Sequence, residues 1–175
     1  MAEKIQYLSL IPTEIVIHHA AEFDAPTLQW AGIRLFHKSW AVDGIIVTQQ
    51  EYGRRLGAHE GKKFKPPWID IGYHAGIELL EHGYEILMGR PWDAQGAHCL
   101  KHNTRALGLC FVGDFNLRTP STAELETGAV IVAYWMRTTG IPLGKIYRHD
   151  TLNETDCPGR LFNLTAFLNL VQEAL

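Results

Sequence analysis

One helix, bracketed by its own start and stop signals, constrains this chain more than any other feature. Ser121 and Glu124 stand at the spacing at which a hydroxyl and a carboxylate cap each other's exposed backbone donors, and Gly140 marks the end. Between them Leu125, Ala129, Val132 and Met136 recur at helical intervals, so one face of the helix is apolar. Such a face must be buried against a second layer. Short β-rich runs supply that layer. TEIVIHH (13–19) predicts a buried strand that delivers His18 and His19 to its C-terminal edge, with AAEFDAP as a loop after it. IDIGYHAGIEL (69–79) and YEILMGR (84–90) flank the turn EHG and predict a hairpin. RALGLCFVGDF (105–115) predicts a central, half-covered strand, and KIYRHD (145–150) a short one ending in His149. Leu28, Ile33, Leu35 and Phe36 pattern a helix from Thr27 to about Trp40, and Leu161, Leu164, Leu168, Val171 and Leu175 stripe a C-terminal helix. The expected fold is α/β, a central mixed β-sheet flanked by helices.

Residues 43–67 resist the same reading. IIVTQQEYGRRL fits a strand or a short helix, and AHEGKKFKPP, rich in Lys, Gly and Pro, predicts an exposed loop. No internal repeat or linker interrupts the chain. At 175 residues, one domain spanning 1–175 is expected, long enough to bury about 70% of its unfolded surface.

Composition excludes several classes of function. Hydrophobic residues make up 46% and charged residues 20%, which rules out disorder, collagen-like repeats and a coiled coil. Sixteen Lys and Arg against nineteen Asp and Glu leave a formal charge of −3, so no global basic field favours nucleic acid or an anionic membrane. The first twenty residues mix Glu14 and other polar residues into their apolar stretch, unlike a secretory signal, and no run of 18 apolar residues could form a transmembrane helix. The expectation is a cytoplasmic product on synthesis, monomeric, with no membrane insertion. Cys99, Cys110 and Cys157 cannot all pair, and a reducing compartment disfavours a disulfide between the first two. Cys110, in an apolar run, is expected in the core.

Nine histidines beside three cysteines direct attention to a metal. His18 at the end of the first strand, His149 at the end of the last, and Cys157 in HDTLNETDCPG offer two imidazoles and a thiolate. That donor set leaves an open fourth position on a tetrahedral Zn²⁺, as catalytic zinc sites do. Spacing alone leaves the alternatives standing: a strand-end histidine held by a hydrogen bond, and a cysteine acting as a small buried hydrophobe.

The segments IVIHHAA, DIGYH, GRPW, GAHCLKHNTRALGLCFVGDF and RHDTLNETDCPG, in this order, resemble the zinc-dependent N-acetylmuramoyl-L-alanine amidases, a family that includes phage lysozyme-type amidases and peptidoglycan recognition proteins. The resemblance spans about residues 13–165. It implies a mixed sheet with helices, one zinc at the floor of a surface groove, and metal ligands at His18, His149 and Cys157, with His19 and Asp150 as non-ligand neighbours. It places the active-site tyrosine at Tyr73 and a second catalytic hydroxyl at Thr155. A related intracellular recycling branch uses a carboxylate third ligand and Glu at the tyrosine position, so Cys157 and Tyr73 set this chain apart from it.

The implied reaction is hydrolysis of the amide joining the lactyl group of N-acetylmuramic acid to L-alanine in bacterial peptidoglycan. Zinc would polarise the carbonyl and acidify water, while Tyr73 and Thr155 donate hydrogen bonds to the developing oxyanion. Without the resemblance, Tyr73 reads as a strand tyrosine and Thr155 as a loop residue bonded to nearby backbone. His74 should point to the other face and sit in the core. His98 and Asn103 match groove-lining positions that contact sugar or peptide, or else shape the loop. Arg90 and Trp92 are candidates for a peptide carboxylate and a sugar face, against a solvated surface pair.

The 42–67 segment exceeds the family's usual connection and would wall the groove, adjust substrate choice or be passive. With no appended wall-binding module in view, a small phage or prophage endolysin is the expected setting. The competing function is a non-catalytic peptidoglycan-recognition module of the same fold, which Cys157 argues against. A blue-copper protein also uses two His and one Cys, but Met88 and Met136 lie far from the ligand loop.

Overall fold

The computed structural model describes residues 11–21, 29–58 and 61–175. Its elements are β1 (Glu14–His19), α1 (Gln29–His37), β2 (Trp40–Val42), β3 (Ile45–Val47), α2 (Gln49–Ala58), β4 (Phe64–Lys65), β5 (Ala75–Leu80), β6 (Gly83–Met88), β7 (Ala106–Phe111), α3 (Thr122–Thr139), β8 (Ile146–Arg148) and α4 (Leu164–Glu173). Five strands form the main sheet in the order β6-β5-β7-β1-β8. The β5/β6 hairpin is antiparallel and the β5/β7, β7/β1 and β1/β8 pairs are parallel, so the sheet is mixed, as expected. β7 is the middle strand.

Alternation along β1 and β7 sorts their side chains onto two faces. Ile15, Ile17, Leu107, Leu109 and Phe111 join Ala129, Val132 and Trp135 of α3 and Phe167 and Val171 of α4 in the main core. The interleaved set points the other way: Val16 and His18 from β1, Ala106, Gly108 and Cys110 from β7. Burying both faces makes β1 and β7 buried at every position, which corrects the half-covered expectation for the 105–115 strand. That strand also stops at Phe111, and β8 stops at Arg148, so His149 opens a single 3₁₀ turn.

Helix α3 is built as its signals predict. Ser121 accepts from the Glu124 N–H, Glu124 accepts from the Ser121 N–H, and Gly140 closes the helix in the left-handed conformation. Helix α1 covers the second face of the sheet, anchored at its N-terminus by the buried Glu78 carboxylate, which accepts from the Gln29 and Trp30 N–H groups. Trp30 lies directly over Gly76, where a Cβ would come within 2.4 Å of the ring, so the strand must be bare there. Of the helix expected over Thr27–Trp40, Thr27 and Leu28 lie outside the described residues, as do residues 22–26 of the loop before it. The helix ends at His37, and Trp40 begins β2.

The unsettled 43–67 segment resolves into structure. β2, β3 and β4 form a three-stranded antiparallel sheet, order β3-β2-β4, with α2 beside it. Trp40, Tyr52 and Phe64 pack ring to ring, with centroids 4.5 and 5.4 Å apart. The expected loop at 58–67 therefore contains a strand, because Phe64 completes this small aromatic core. DIGYH is likewise corrected: Tyr73 and His74 precede β5 in an irregular segment pinned by the Gly89 and Arg90 N–H groups, which donate to the His74 and Tyr73 carbonyls.

Candidate metal centre

His18 reaches the C-terminal edge of the sheet on the face opposite the main core, and the parallel β1/β8 pairing brings the turn after β8 beside it. One ligating atom from each of His18, His149 and Cys157 lies within 4.8 Å of the others. The Cys157 Sγ is 3.5 Å from His18 Nδ1, and the two imidazole centroids are 4.5 Å apart. Cys157 is held by the backbone N–H of His19, which donates to its sulfur at 3.3 Å.

The chemistry of this trio fits a cation. His149 Nδ1 is buried without a hydrogen-bond partner, an expensive arrangement unless something else coordinates it. Burial holds His18 far below the usual histidine range, reinforced by neighbouring His98 and His149, and burial also lowers His149 against the opposing Asn153 bond and Asp150. Both rings are thus kept neutral, the form that binds metal. Burial pushes the Cys157 thiol up to about 12, with the His19 N–H working against it. A cation beside the sulfur is what would bring the thiolate into the neutral range.

The pocket around these residues has a volume of about 430 Å³ and is lined also by Tyr73, His98, Asn116, Thr155 and Asp156. The Tyr73 ring lies 5.2 Å from His18. Its phenol is driven well above the ordinary tyrosine range by burial, then by Cys110 and Cys157, so it stays protonated and able to donate. Thr155 is exposed at the rim and its hydroxyl accepts from the Cys157 N–H at 3.3 Å. The non-ligand neighbours are held by other bonds: His19, which also lines the pocket, accepts at Nδ1 from the Phe115 N–H, and Asp150 pairs with Arg148.

Tyr73 also walls a second, more apolar cavity of about 480 Å³, together with Ala20, Gln29, Gly32, Ile33, Phe36 and His37. No motif marks His37, although its i, i+3, i+4 spacing with Ile33 and Phe36 puts all three on one face of α1. None marks Asn153 either, which accepts from His149 Nε2 at 3.1 Å.

Three of the four expected substrate contacts have other surroundings. Arg90 is 4% exposed, and its guanidinium donates to the carbonyls of Ile71 and Gln95, so it fastens the loop instead of facing solvent. Trp92 packs against Tyr134 and Trp135 of α3, on the main-core side of the sheet. The Asn103 side-chain oxygen accepts from the His98 and Cys99 N–H groups and shapes their loop. His98 does line the candidate metal pocket. Cys99 and Cys110 are buried and all three cysteines are free.

Comparison with known proteins places these observations in a family. The Amidase_2 family, N-acetylmuramoyl-L-alanine amidase, matches residues 9–160. Peptidoglycan-recognition protein SC2 of Drosophila melanogaster is 32% identical over 93 residues, 53% of this chain and 49% of that protein. The N-acetylmuramoyl-L-alanine amidase of Homo sapiens is 36% identical over 100 residues, 55% of this chain and 17% of that protein. The chain thus spans about half the length of the first relative and far less of the second. Among solved structures, the endolysin N-acetylmuramoyl-L-alanine amidase LysCS from Clostridium intestinale URNW superposes with a TM-score of 0.63 at 24% identity, covering 98% of this chain and 90% of that one, a likeness of fold.

Proposed function

The chain belongs to the N-acetylmuramoyl-L-alanine amidase family, and from that premise we propose that it is a zinc-dependent hydrolase of the bond between the lactyl group of N-acetylmuramic acid and L-alanine in bacterial peptidoglycan. The observation that carries this reading is the convergence of His18, His149 and Cys157, with an orphaned, buried nitrogen on His149. Bound by these three side chains, zinc would supply Lewis-acid polarisation of the amide carbonyl and acidification of water. Tyr73, protonated and beside His18, would donate to the carbonyl oxygen as it gains charge, and the Thr155 hydroxyl would donate from the rim. Water adds to the carbonyl carbon, the C–N bond breaks, and the alanine nitrogen leaves with a proton. The cavity on the far side of Tyr73 has the apolar walls to hold part of the substrate while His98 lines the reacting side.

A phage or prophage endolysin is the setting this reading favours, because a structural neighbour is named an endolysin. No helix among the described residues is long and apolar enough to cross a membrane. Recognition of muropeptides without cleavage is the competing reading, since the fly relative is named a recognition protein. Incubating purified peptidoglycan with the wild type and with Cys157→Ser separates them. Hydrolysis predicts soluble fragments from the wild type alone; recognition predicts that both variants bind the polymer and neither releases fragments.

A further inference from the structure

We propose that His98 and Asn153 are positioning residues that set the tautomers of the two metal-ligand histidines, His98 through a relay beginning at a main-chain carbonyl. The proposal rests on His18, His149 and Cys157 being the metal ligands, and it concerns how the protein aims them. The Ala106 carbonyl can only accept, so its 3.3 Å contact with His98 Nε2 requires the proton on that nitrogen. A neutral His98 then presents a bare Nδ1, 3.0 Å from His18 Nε2, which must be the donor. His18 is left with its lone pair on Nδ1, the atom that faces the Cys157 sulfur. One carbonyl thereby fixes two rings in series.

Asn153 performs the same service for the second histidine. Its side-chain orientation is set by its neighbours: Oδ1 accepts from the Leu100 N–H at 3.0 Å while Nδ2 donates to the Leu152 carbonyl at 2.8 Å. The oxygen that faces His149 Nε2 therefore accepts there too, and His149 Nδ1 is left bare, the same buried atom that lacks a hydrogen-bond partner. Both supports depend on the segment 96–106. Asn103 ties its turn together, and Gly96 and Gly108 clamp the His98 ring so closely that a Cβ on either would stand 2.5 or 2.7 Å from it. Metal-ligand histidines generally depend on such partners, and their loss weakens metal binding about 10- to 100-fold. With both nitrogens engaged, His98 aims a ligand instead of gripping sugar or peptide.

Two readouts test this without recourse to hydrolysis. Nitrogen-15 NMR of chelator-treated wild-type protein should find His18 and His98 both protonated on Nε2. Competition with a chromogenic chelator should show His98→Phe binding zinc about 10- to 100-fold more weakly, and His98→Asn, whose side-chain oxygen can take the place of Nδ1 as acceptor, recovering most of that loss. A proton on His18 Nδ1 in the metal-free wild type, or undiminished zinc affinity in a folded His98→Phe, would overturn the proposal. Should His98→Phe fail to fold, the wild-type tautomers decide alone. A protein with these tautomers that leaves peptidoglycan intact would refute the hydrolase and leave the relay standing.

Discussion

The face of the main sheet beneath α3 and α4 carries Ile15, Ile17, Leu107, Leu109 and Phe111, whereas the opposite face of the same two strands carries Val16, His18, Gly108 and Cys110. The first face is filled by large side chains meeting aromatic ones: Phe111, Phe162 and Phe167 contact one another at centroid distances of 5.4 to 5.7 Å. The second is paved with small residues, and the space they leave holds Trp30 over Gly76 and His98 over Gly108. Strand alternation lets β1 secure itself with Ile15 and Ile17 while displaying His18 on the other side. Stability and chemistry are thus divided by face within single strands, and substitutions on the two faces should have separable consequences.

The sharpest separation comes from the ligands. His149→Ala removes an imidazole from the metal pocket and no part of the main core, so zinc binding and peptidoglycan cleavage should fall below detection while circular dichroism still reports a folded chain. A cleaving His149→Ala protein would break the division. Trp135→Ala is its counterpart on the core face. Removing this fully buried ring should cost about 3–5 kcal/mol in urea unfolding, with zinc affinity per folded molecule unchanged.

Tyr73→Phe refines the comparison within the chemical face. Losing one donor to the oxyanion should lower kcat by about 10² or more with little change in KM. Equal turnover would assign Tyr73 to packing against Trp30 and His37.

Acid should find the chemical face first, where His74 packs beside His98 instead of pointing to the other face. Burial lowers His74 to about 4, aided by Arg90 and opposed by its bond to the Ala94 carbonyl. The unfolded chain takes up this proton near 6.5 and the folded chain only near 4, so metal-free stability is fully present above 6.5 and falls as the pH drops toward 4. His74 alone should contribute a loss of roughly 2 kcal/mol by pH 5. His37, also lowered to about 4, acts in the same direction. Urea midpoints at pH 7 and 5 in chelator measure this, and a flat profile would contradict the neutral, buried state of these rings.

The sequence was most readable where local chemistry and tertiary structure agree. The Ser121–Glu124 box, the helical stripe after it and the strand-end histidines all describe features that burial reinforces. The 43–67 segment was opaque although it carried comparable signals. Asp43–Gly44, both at positive φ, makes the two-residue turn of the β2/β3 hairpin, and Thr48 accepts from the Glu51 N–H at the start of α2. Its Lys, Gly and Pro content hid a hairpin and a capped helix. Other roles were not local at all. Nothing in GRPW indicates that Arg90 spends its donors on the carbonyls of residues 71 and 95, and nothing in GAHC indicates that His98 meets His18 across 80 residues. Tertiary structure alone creates those contacts.

The most direct test is mass spectrometry of purified peptidoglycan digested with the protein, with chelator, and with chelator followed by zinc. Metal-dependent amide hydrolysis predicts free stem peptides with a new L-alanine amino terminus in the untreated and zinc-restored samples and none in chelator. The same peptides appearing after complete, verified removal of zinc, or an intact polymer from folded, zinc-loaded protein, would contradict it.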